Sequence, residues 1–492
     1  MSDRSEITDS QRGLGDMDPG EFRDAAHRVA DRAADYLARL ESYPVLPDVR
    51  PGQIHAHIDR RPPAGPEPLE AILEDYARWI EPNVTHWQHP GFMAYFPSVA
   101  SGPGILGEWL ATTLNSNVMF WRNAPASTEL EELVVQWLRA MMGLPPALDG
   151  MFTDTASVSS LLAIVAARHA VPGLSARERG LAGRPEVGPL RLYLSEEAHS
   201  SIEKGAIVAG IGREGVRRIA TDPRYRMRPE ALADAIAEDR ARGYTPCCVV
   251  ATLGTTSSTA IDPVNRIAEI CARERVWLHV DAAYGGVAAI APEYRPLFAG
   301  WERADSIVVN PHKWLFTPFD ASLLLFRDRD HMRDAFSLVP EYIRTPDTGE
   351  IHNFNEYGIQ LGRRFRALKL WMQIRWFGVD GIAGRLRRHC QMAQRLAGWI
   401  DADPEWQRLA PTPLATVCAR HVPRELREPE AIDVHNERIL AEVNRSGEVF
   451  LSHTRLGNRY AIRVSIGNPR QTEAHVARCW DLLREAAART RP

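Results

Sequence analysis

The sequence predicts an α/β protein: a mostly parallel central sheet flanked by helices, with an N-terminal helical segment and a small C-terminal α+β domain. Three observations carry this. Between 102 and 376, short apolar runs alternate with helical periodicity. Those runs are apolar throughout rather than at every second position, as strands covered on both faces require. Past Trp376 the alternation loosens into fewer, more mixed elements.

The elements follow in order. Residues 1–17 read as a disordered tail, polar and acidic, without the apolar stretch of a signal peptide. Asp18-Pro19-Gly20-Glu21 offers a helix cap, a proline in the first turn and a reciprocal acid. Phe22, Ala26, Val29, Ala33, Tyr36, Leu37 and Leu40 fall on one stripe of the helix that follows. A second helix is expected over 69–80, after a proline-rich connector. Two apolar helical faces with so little chain around them predict burial against a partner subunit, so 18–101 stands as a segment of its own. Thr128 and Glu131 predict a capping box opening a helix that stops at Gly143. Strands are expected at 190–194, 247–253, 276–280, 306–309 and 321–326, with helices over 157–170, 228–242 and 262–274. Right-handed crossovers place ligands beyond the C-terminal ends of such strands. The large domain thus spans 102–376. The smaller one, 377–492, takes a helix over 381–400, strands near 449–452 and 460–465, and a closing helix over 472–488.

Composition narrows the function. The chain has 492 residues, 45% hydrophobic and 25% charged, with a net charge of -4. Acidic residues interleave with the arginines, so neither nucleic acid nor an anionic membrane is expected as a partner. No apolar run reaches transmembrane length. The six cysteines lack CxxC spacing, which predicts reduced thiols, a cytoplasmic protein and no metal centre.

Four motifs gather chemistry at the predicted strand ends. In Asn310-Pro311-His312-Lys313-Trp314 a lysine comes just after a buried strand. It reads either as a surface lysine or as a desolvated amine, the form that makes Schiff bases. Asp281 ends the run Val276-Trp277-Leu278-His279-Val280, as a helix cap or as a charge in use, because a buried carboxylate without a partner is costly. In use, it would pair with the protonated pyridine nitrogen of pyridoxal 5′-phosphate. Thr155, Ala156 and Ser157 open a helix and offer amides, hydroxyls and the positive dipole end to a phosphate, or form a plain cap. His199, in Ser195-Glu196-Glu197-Ala198-His199-Ser200-Ser201, is a cap or core histidine, or a ring placed to stack on a pyridine.

The blocks MDPGEFR, VTHWQHPGFMAYFPS, ASTELE, SEEAHSS, ATLGTT, WLHVDAAYGG, NPHKW and LGRRFRALK occur in this order. With them the chain resembles the group II pyridoxal-phosphate-dependent decarboxylases, most closely the aromatic L-amino-acid decarboxylases of fold type I. The resemblance runs from 18 to 490. It implies that Lys313 holds the cofactor covalently, Asp281 pairs with its ring nitrogen and His199 stacks on the ring. Thr155, Ala156, Ser157 and Asn310 would contact the phosphate, with Thr256 and His312 close by. Tyr95, Phe96, Pro97 and Ser98 would line the substrate pocket together with Phe120 and Gly362, and the Ser98 hydroxyl suits a carboxylate. Tyr342, in a polar segment with Pro346 and Gly349, would protonate the substrate carbon after CO2 leaves; aldehyde-forming relatives carry phenylalanine there. The implied substrate is tryptophan, DOPA, tyrosine or phenylalanine. The implied assembly is a homodimer with sites at the interface, where 18–101 swaps across and 115–121 reaches the neighbour's pocket. Asn117 and Met119 depart from the more apolar version of that stretch in animal relatives.

Other readings stay open. Gly102-Pro103-Gly104-Ile105-Leu106-Gly107 matches GxGxxG, a dinucleotide fingerprint, although no convincing buried strand precedes it. A fold of this kind can also act by binding alone, transfer an amino group, form an aldehyde, or decarboxylate a non-aromatic amino acid.

Overall fold

Seven strands order the larger of two units in this computed structural model, which describes residues 16–58, 61–184, 186–338 and 352–491. The units are Met1–His89 and Pro90–Pro492. In the first, Asp18 caps helix Pro19–Ala38 by accepting from the amides of Gly20 and Glu21 at 2.7 and 2.9 Å. Phe22 and Val29 on the apolar stripe are 50% and 44% exposed, so one chain alone leaves that face open. The tail over 1–15 lies outside the described residues.

The central sheet runs β1 (Asp149–Thr153), β7 (Ser322–Phe326), β6 (Ser306–Val309), β5 (Trp277–Asp281), β4 (Thr245–Thr252), β2 (Leu190–Ser195) and β3 (Val216–Ile219). The pairings among β6, β5, β4, β2 and β3 are parallel, joined through helices such as Pro229–Ala241 and Val264–Glu274. β7 runs against both its neighbours. The connection from β6 to β7 holds only one four-residue helical turn, Pro311–Trp314, too little for a helical crossover, so the chain turns back antiparallel. Every residue of β6 and β7 is buried, as strands covered on both faces require.

A second sheet, antiparallel in the order β10 (Ser452–Leu456), β11 (Arg459–Ser465), β9 (Thr416–His421) and β8 (Trp406–Arg408), closes the C-terminal part with helices Pro429–Arg445 and Glu473–Arg489. The strand expected near 449–452 instead begins at Ser452. The reason is the two-residue turn Gly457-Asn458, with φ of 55° and 64°, which sets a tight hairpin of the kind that matches strand twist. The helix expected over 381–400 belongs to the longer Ala367–Ala402, broken at Gly378 where φ is 65°.

One sequence expectation is corrected here, and one alternative is answered. Thr128 and Glu131 do not open a helix: they lie buried inside Pro125–Met141, which starts at Pro125 after an uncapped Ala124. Glu131 instead accepts from the Phe152 amide of β1 at 2.9 Å and pairs with buried Arg363. Two of the GxGxxG glycines, Gly104 and Gly107, are packing residues, whereas Gly102 faces open space. A Cβ on Gly104 would lie 2.6 Å from Pro318, and one on Gly107 would lie 2.6 Å from the Lys369 backbone. Ser101 before the helix is extended but belongs to no strand, so the strand-to-helix turn a dinucleotide needs is missing.

Candidate active site

The C-terminal ends of β1, β2, β4 and β5, and the turn after β6, converge on a cavity of about 210 Å³. Asp281 is the last residue of β5, and Lys313 sits in the turn after β6. Parallel register brings them together, since Asp281 lies opposite Val308 in the neighbouring strand. Pro311 starts the turn, and the Lys313 amide donates to the Asn310 carbonyl at 3.0 Å, closing it tightly.

Burial pushes the Lys313 ammonium below the usual lysine range; Asp281 opposes the shift and Arg463 adds to it. Its Nζ lies 5.1 Å from the centre of the Phe96 ring. Phe96 stacks on Tyr284 at 3.8 Å and Tyr284 on Trp314 at 4.8 Å, a column of rings that gives the lysine an apolar wall. Asp281 is 6% exposed and accepts from the Ala283 amide at 3.1 Å. A carboxylate has more acceptor capacity than one amide uses, so Asp281 retains room for a cationic partner.

His199 caps helix Ser200–Val208, its Nδ1 accepting from the Ser201 amide at 3.2 Å and lying 2.8 Å from the Ser201 hydroxyl. A ring nitrogen that accepts an N–H carries no proton, so neutral His199 holds its proton on Nε2. Burial and the nearby Lys313 push its pKa down, with Asp281 working the other way. The cap and the cavity wall are therefore one residue. Thr155 precedes helix Ala156–His169 in extended conformation, and no side chain caps that helix. Its first amides, with the Ser157 hydroxyl, are thus left for an anion, while the Thr155 hydroxyl donates to Asp154 Oδ1 at 3.3 Å. Hydroxyls fix this corner: Thr153 Oγ1 meets Ser159 Oγ at 2.7 Å, and Ser159 meets Ser322 at 2.9 Å, joining β1, the helix and β7.

A pyridine ring bearing an aldehyde and a phosphate fits these residues. Around the cavity, Thr252 Oγ1 and Asn310 Oδ1 are buried without a protein partner, which suits a polar occupant. Thr256 and His312 line it too. Burial, with Lys313 beside it, pushes His312 down to about 3, and its Nδ1 accepts from the Ala321 amide at 3.0 Å, so it is a neutral wall.

Other expectations fare differently. Of the anticipated substrate residues, Phe96 lines this cavity, whereas Tyr95, Pro97, Ser98, Phe120 and Gly362 do not within one chain. The Ser98 hydroxyl donates to the His312 carbonyl at 2.8 Å, bracing the lysine's turn rather than standing open for a carboxylate. Gly362 faces Asn117, whose Nδ2 would lie 3.8 Å from an added Cβ. Tyr342 lies outside the described residues. Two neighbours were not foreseen, Tyr284 and Arg463. Arg463 is 3% exposed, lies 4.6 Å over Phe96 and donates to the carbonyls of Ser257 and Tyr95. One arginine in the apolar run Tyr460-Ala461-Ile462-Arg463-Val464 was the signal, because a buried charge needs a reason.

A covered α/β sheet that brings one desolvated lysine, one buried carboxylate and an anion cradle to its C-terminal edge defines the class of enzymes holding a carbonyl cofactor on a lysine. Residues 51–422 match the model of the pyridoxal-dependent decarboxylase conserved domain. A phenylacetaldehyde synthase of Arabidopsis thaliana is 37% identical over 97% of this chain and 98% of its own. Tyrosine decarboxylase 2 of Narcissus pseudonarcissus is 37% identical over 97% of this chain and 96% of its own. The crystal structure of Oryza sativa TDC with PLP and tryptamine superposes with a TM-score of 0.93 at 33% identity, covering 97% and 99% of the two chains. The chain belongs to the pyridoxal-dependent decarboxylase family. It is a pyridoxal-phosphate-dependent amino-acid decarboxylase of fold type I. Among the described residues no helix is long and apolar enough to cross a membrane.

Proposed function

We propose that the chain converts an aromatic L-amino acid to its amine and CO2, with Lys313, Asp281 and His199 as the groups that touch the cofactor. The convergence of these three on one cavity carries the reading. A phenylacetaldehyde synthase and a tyrosine decarboxylase among the relatives, and the tryptamine in the similar structure, point to the aromatic side chain. Pyridoxal phosphate supplies an electron sink for the pair released when the bond from Cα to the carboxylate breaks. Lys313 would hold the cofactor through its side-chain amine, which the substrate amine would displace. Its lowered pKa keeps a neutral amine within reach. Asp281 keeps the ring nitrogen protonated, and His199 stacks on the ring with its proton on Nε2. Thr155, Ala156, Ser157 and Asn310 hold the phosphate, with Thr256 and His312 beside it. Tyr342 delivers a proton to Cα once CO2 has gone.

A homodimer completes the pocket in this reading: Phe120 and Gly362, which stand apart from Lys313 within one chain, come from the second copy, with Tyr95, Pro97 and Ser98 at the pocket's edge. The exposed apolar stripe of helix Pro19–Ala38 supports such a partner. An active monomer by light scattering would refute it. Six free, buried cysteines support a cytoplasmic setting.

The test is a screen of tryptophan, DOPA, tyrosine and phenylalanine for CO2 and amine, with Lys313→Ala as control. One amine per CO2 is expected, and the variant loses the Schiff-base absorbance and nearly all turnover. Normal turnover in that variant sinks the reading. A second outcome, aldehyde with ammonia and peroxide, is favoured by the likeness to the phenylacetaldehyde synthase; tyrosine rather than phenylalanine at 342 argues for the amine.

A further inference from the structure

At the opposite edge of the central sheet lies a second cavity, about 990 Å³ against about 210 Å³ for the one holding Lys313. It opens where β5 and β6 begin and β7 ends. Five arginines line it, Arg275, Arg303, Arg327, Arg329 and Arg333, against the three carboxylates of Asp305, Asp328 and Asp330. Each carboxylate has a partner. Asp305 accepts from the Leu278 amide at 2.7 Å, Asp328 from the His331 amide at 2.9 Å, and Asp330 lies 3.7 Å from Arg333. Arg327 donates to the carbonyls of Ala304 and Glu302, and Arg329 to the Tyr357 hydroxyl at 2.6 Å.

Arg275 and Arg303 differ. Among the described residues their guanidinium groups make no ion pair and no hydrogen bond, and both are exposed. Several other surface arginines are matched to acids, Arg217 to Glu238, Arg408 to Asp401, Arg478 to both Glu448 and Glu485, whereas Arg275 and Arg303 share their cavity with three further arginines. Guanidinium groups crowded into one concavity repel each other and focus a positive potential there, which an anion relieves. Their fork geometry matches phosphate oxygens two at a time. Trp277 gives the same cavity an aromatic wall, its ring 5.3 Å from that of His331.

We propose that this cavity binds a small organic phosphate bearing two or more negative charges, with Arg275 and Arg303 as its principal contacts and Trp277 against its organic part. The site is separate from catalysis and does not depend on which amino acid the enzyme uses. It does share strands with it: β5 begins at this cavity and ends at Asp281, and β6 begins here and leads to Lys313.

The experiment uses full-length enzyme saturated with pyridoxal phosphate, so that the phosphate cradle at Thr155 is filled. Sodium tripolyphosphate and, separately, citrate are titrated in by calorimetry at constant ionic strength. Tripolyphosphate is expected to bind saturably, one per chain, and roughly tenfold to a hundredfold more weakly to an Arg275→Ala, Arg303→Ala double variant. Both arginines are exposed, so that variant keeps its melting temperature; an Arg275→Lys, Arg303→Lys variant retains the charge and recovers part of the affinity. No saturable binding, or equal binding by wild type and the alanine variant, overturns the site. Citrate binding as tightly as tripolyphosphate overturns the assignment to phosphate.

Discussion

Strand β5 ends in Asp281 inside a cavity of about 210 Å³ and begins beside Arg275 at the rim of one of about 990 Å³. The smaller cavity holds few charges, with Asp281 buried and Lys313 half-buried. The larger one holds many, most of them wet. Size and charge count therefore do not rank the two ends by chemistry; what does is desolvation, which shifts the pKa of Lys313 and His199 and leaves Asp281 buried with one amide for company. A wet arginine binds. A dry lysine reacts.

Asp281→Asn is the strongest way to break this comparison. Without the carboxylate the ring nitrogen loses its proton partner, and kcat/KM should fall on the order of 10²–10⁴-fold while Lys313 still binds the cofactor and its absorbance persists. Activity within a few-fold of wild type would mean that Asp281 is only a cap. Next comes Glu131→Gln, which leaves Arg363 buried opposite a neutral side chain, the two being 0% and 3% exposed. Breaking a buried pair costs about 3–5 kcal/mol, read from urea unfolding. A loss below about 1 kcal/mol would show that Arg363 is satisfied by its carbonyl partners Val118 and Phe152 alone.

His352 offers an intermediate case. Burial alone would lower its pKa, but hydrogen bonds and charge from Asp149 and Glu132 overcome this and raise it from 6.5 to about 9. A group whose folded pKa lies above its unfolded one gives full stabilisation below the unfolded value. That contribution, ~3 kcal/mol, should therefore be complete below pH 6.5, decline between 6.5 and about 9, and vanish above. Melting curves across that range should lose this slope in His352→Gln. The smallest effect belongs to the wet end: Arg275→Ala with Arg303→Ala should change stability by no more than about 0.5 kcal/mol. A larger loss would place those arginines in the fold rather than at a binding surface.

The central sheet was legible because its strands are apolar on both faces, and the lysine and aspartate because they punctuate such strands. β1 and β3 were not. Asp149-Gly150 hides the start of β1, and β3, Val216-Arg217-Arg218-Ile219, is an edge strand with two arginines in its middle. Thr128 misled because a hydroxyl three residues before an acid signals a cap only at a helix end, and here both are interior. His199 was read as cap or ring partner, and the structure makes it a cap whose ring also lines the cavity. Phe120 and Gly362 could not be placed from spacing, since their position relative to Lys313 is set by tertiary or quaternary contacts rather than by local pattern.

β7 has a consequence beyond its pairing. Its five residues lie between β1, which leads to Thr155, and β6, which leads to Lys313; Ser322 sits opposite Thr153 and the adjacent Leu323 opposite Val309. This single strand is thus a ruler that sets the span between phosphate cradle and lysine. Inserting or deleting one residue in it would reverse every side chain beyond that point and misalign both neighbours together. Drift by single steps is closed to it. New activities on this scaffold must arise in the loops around a fixed gauge, never by resetting the gauge itself.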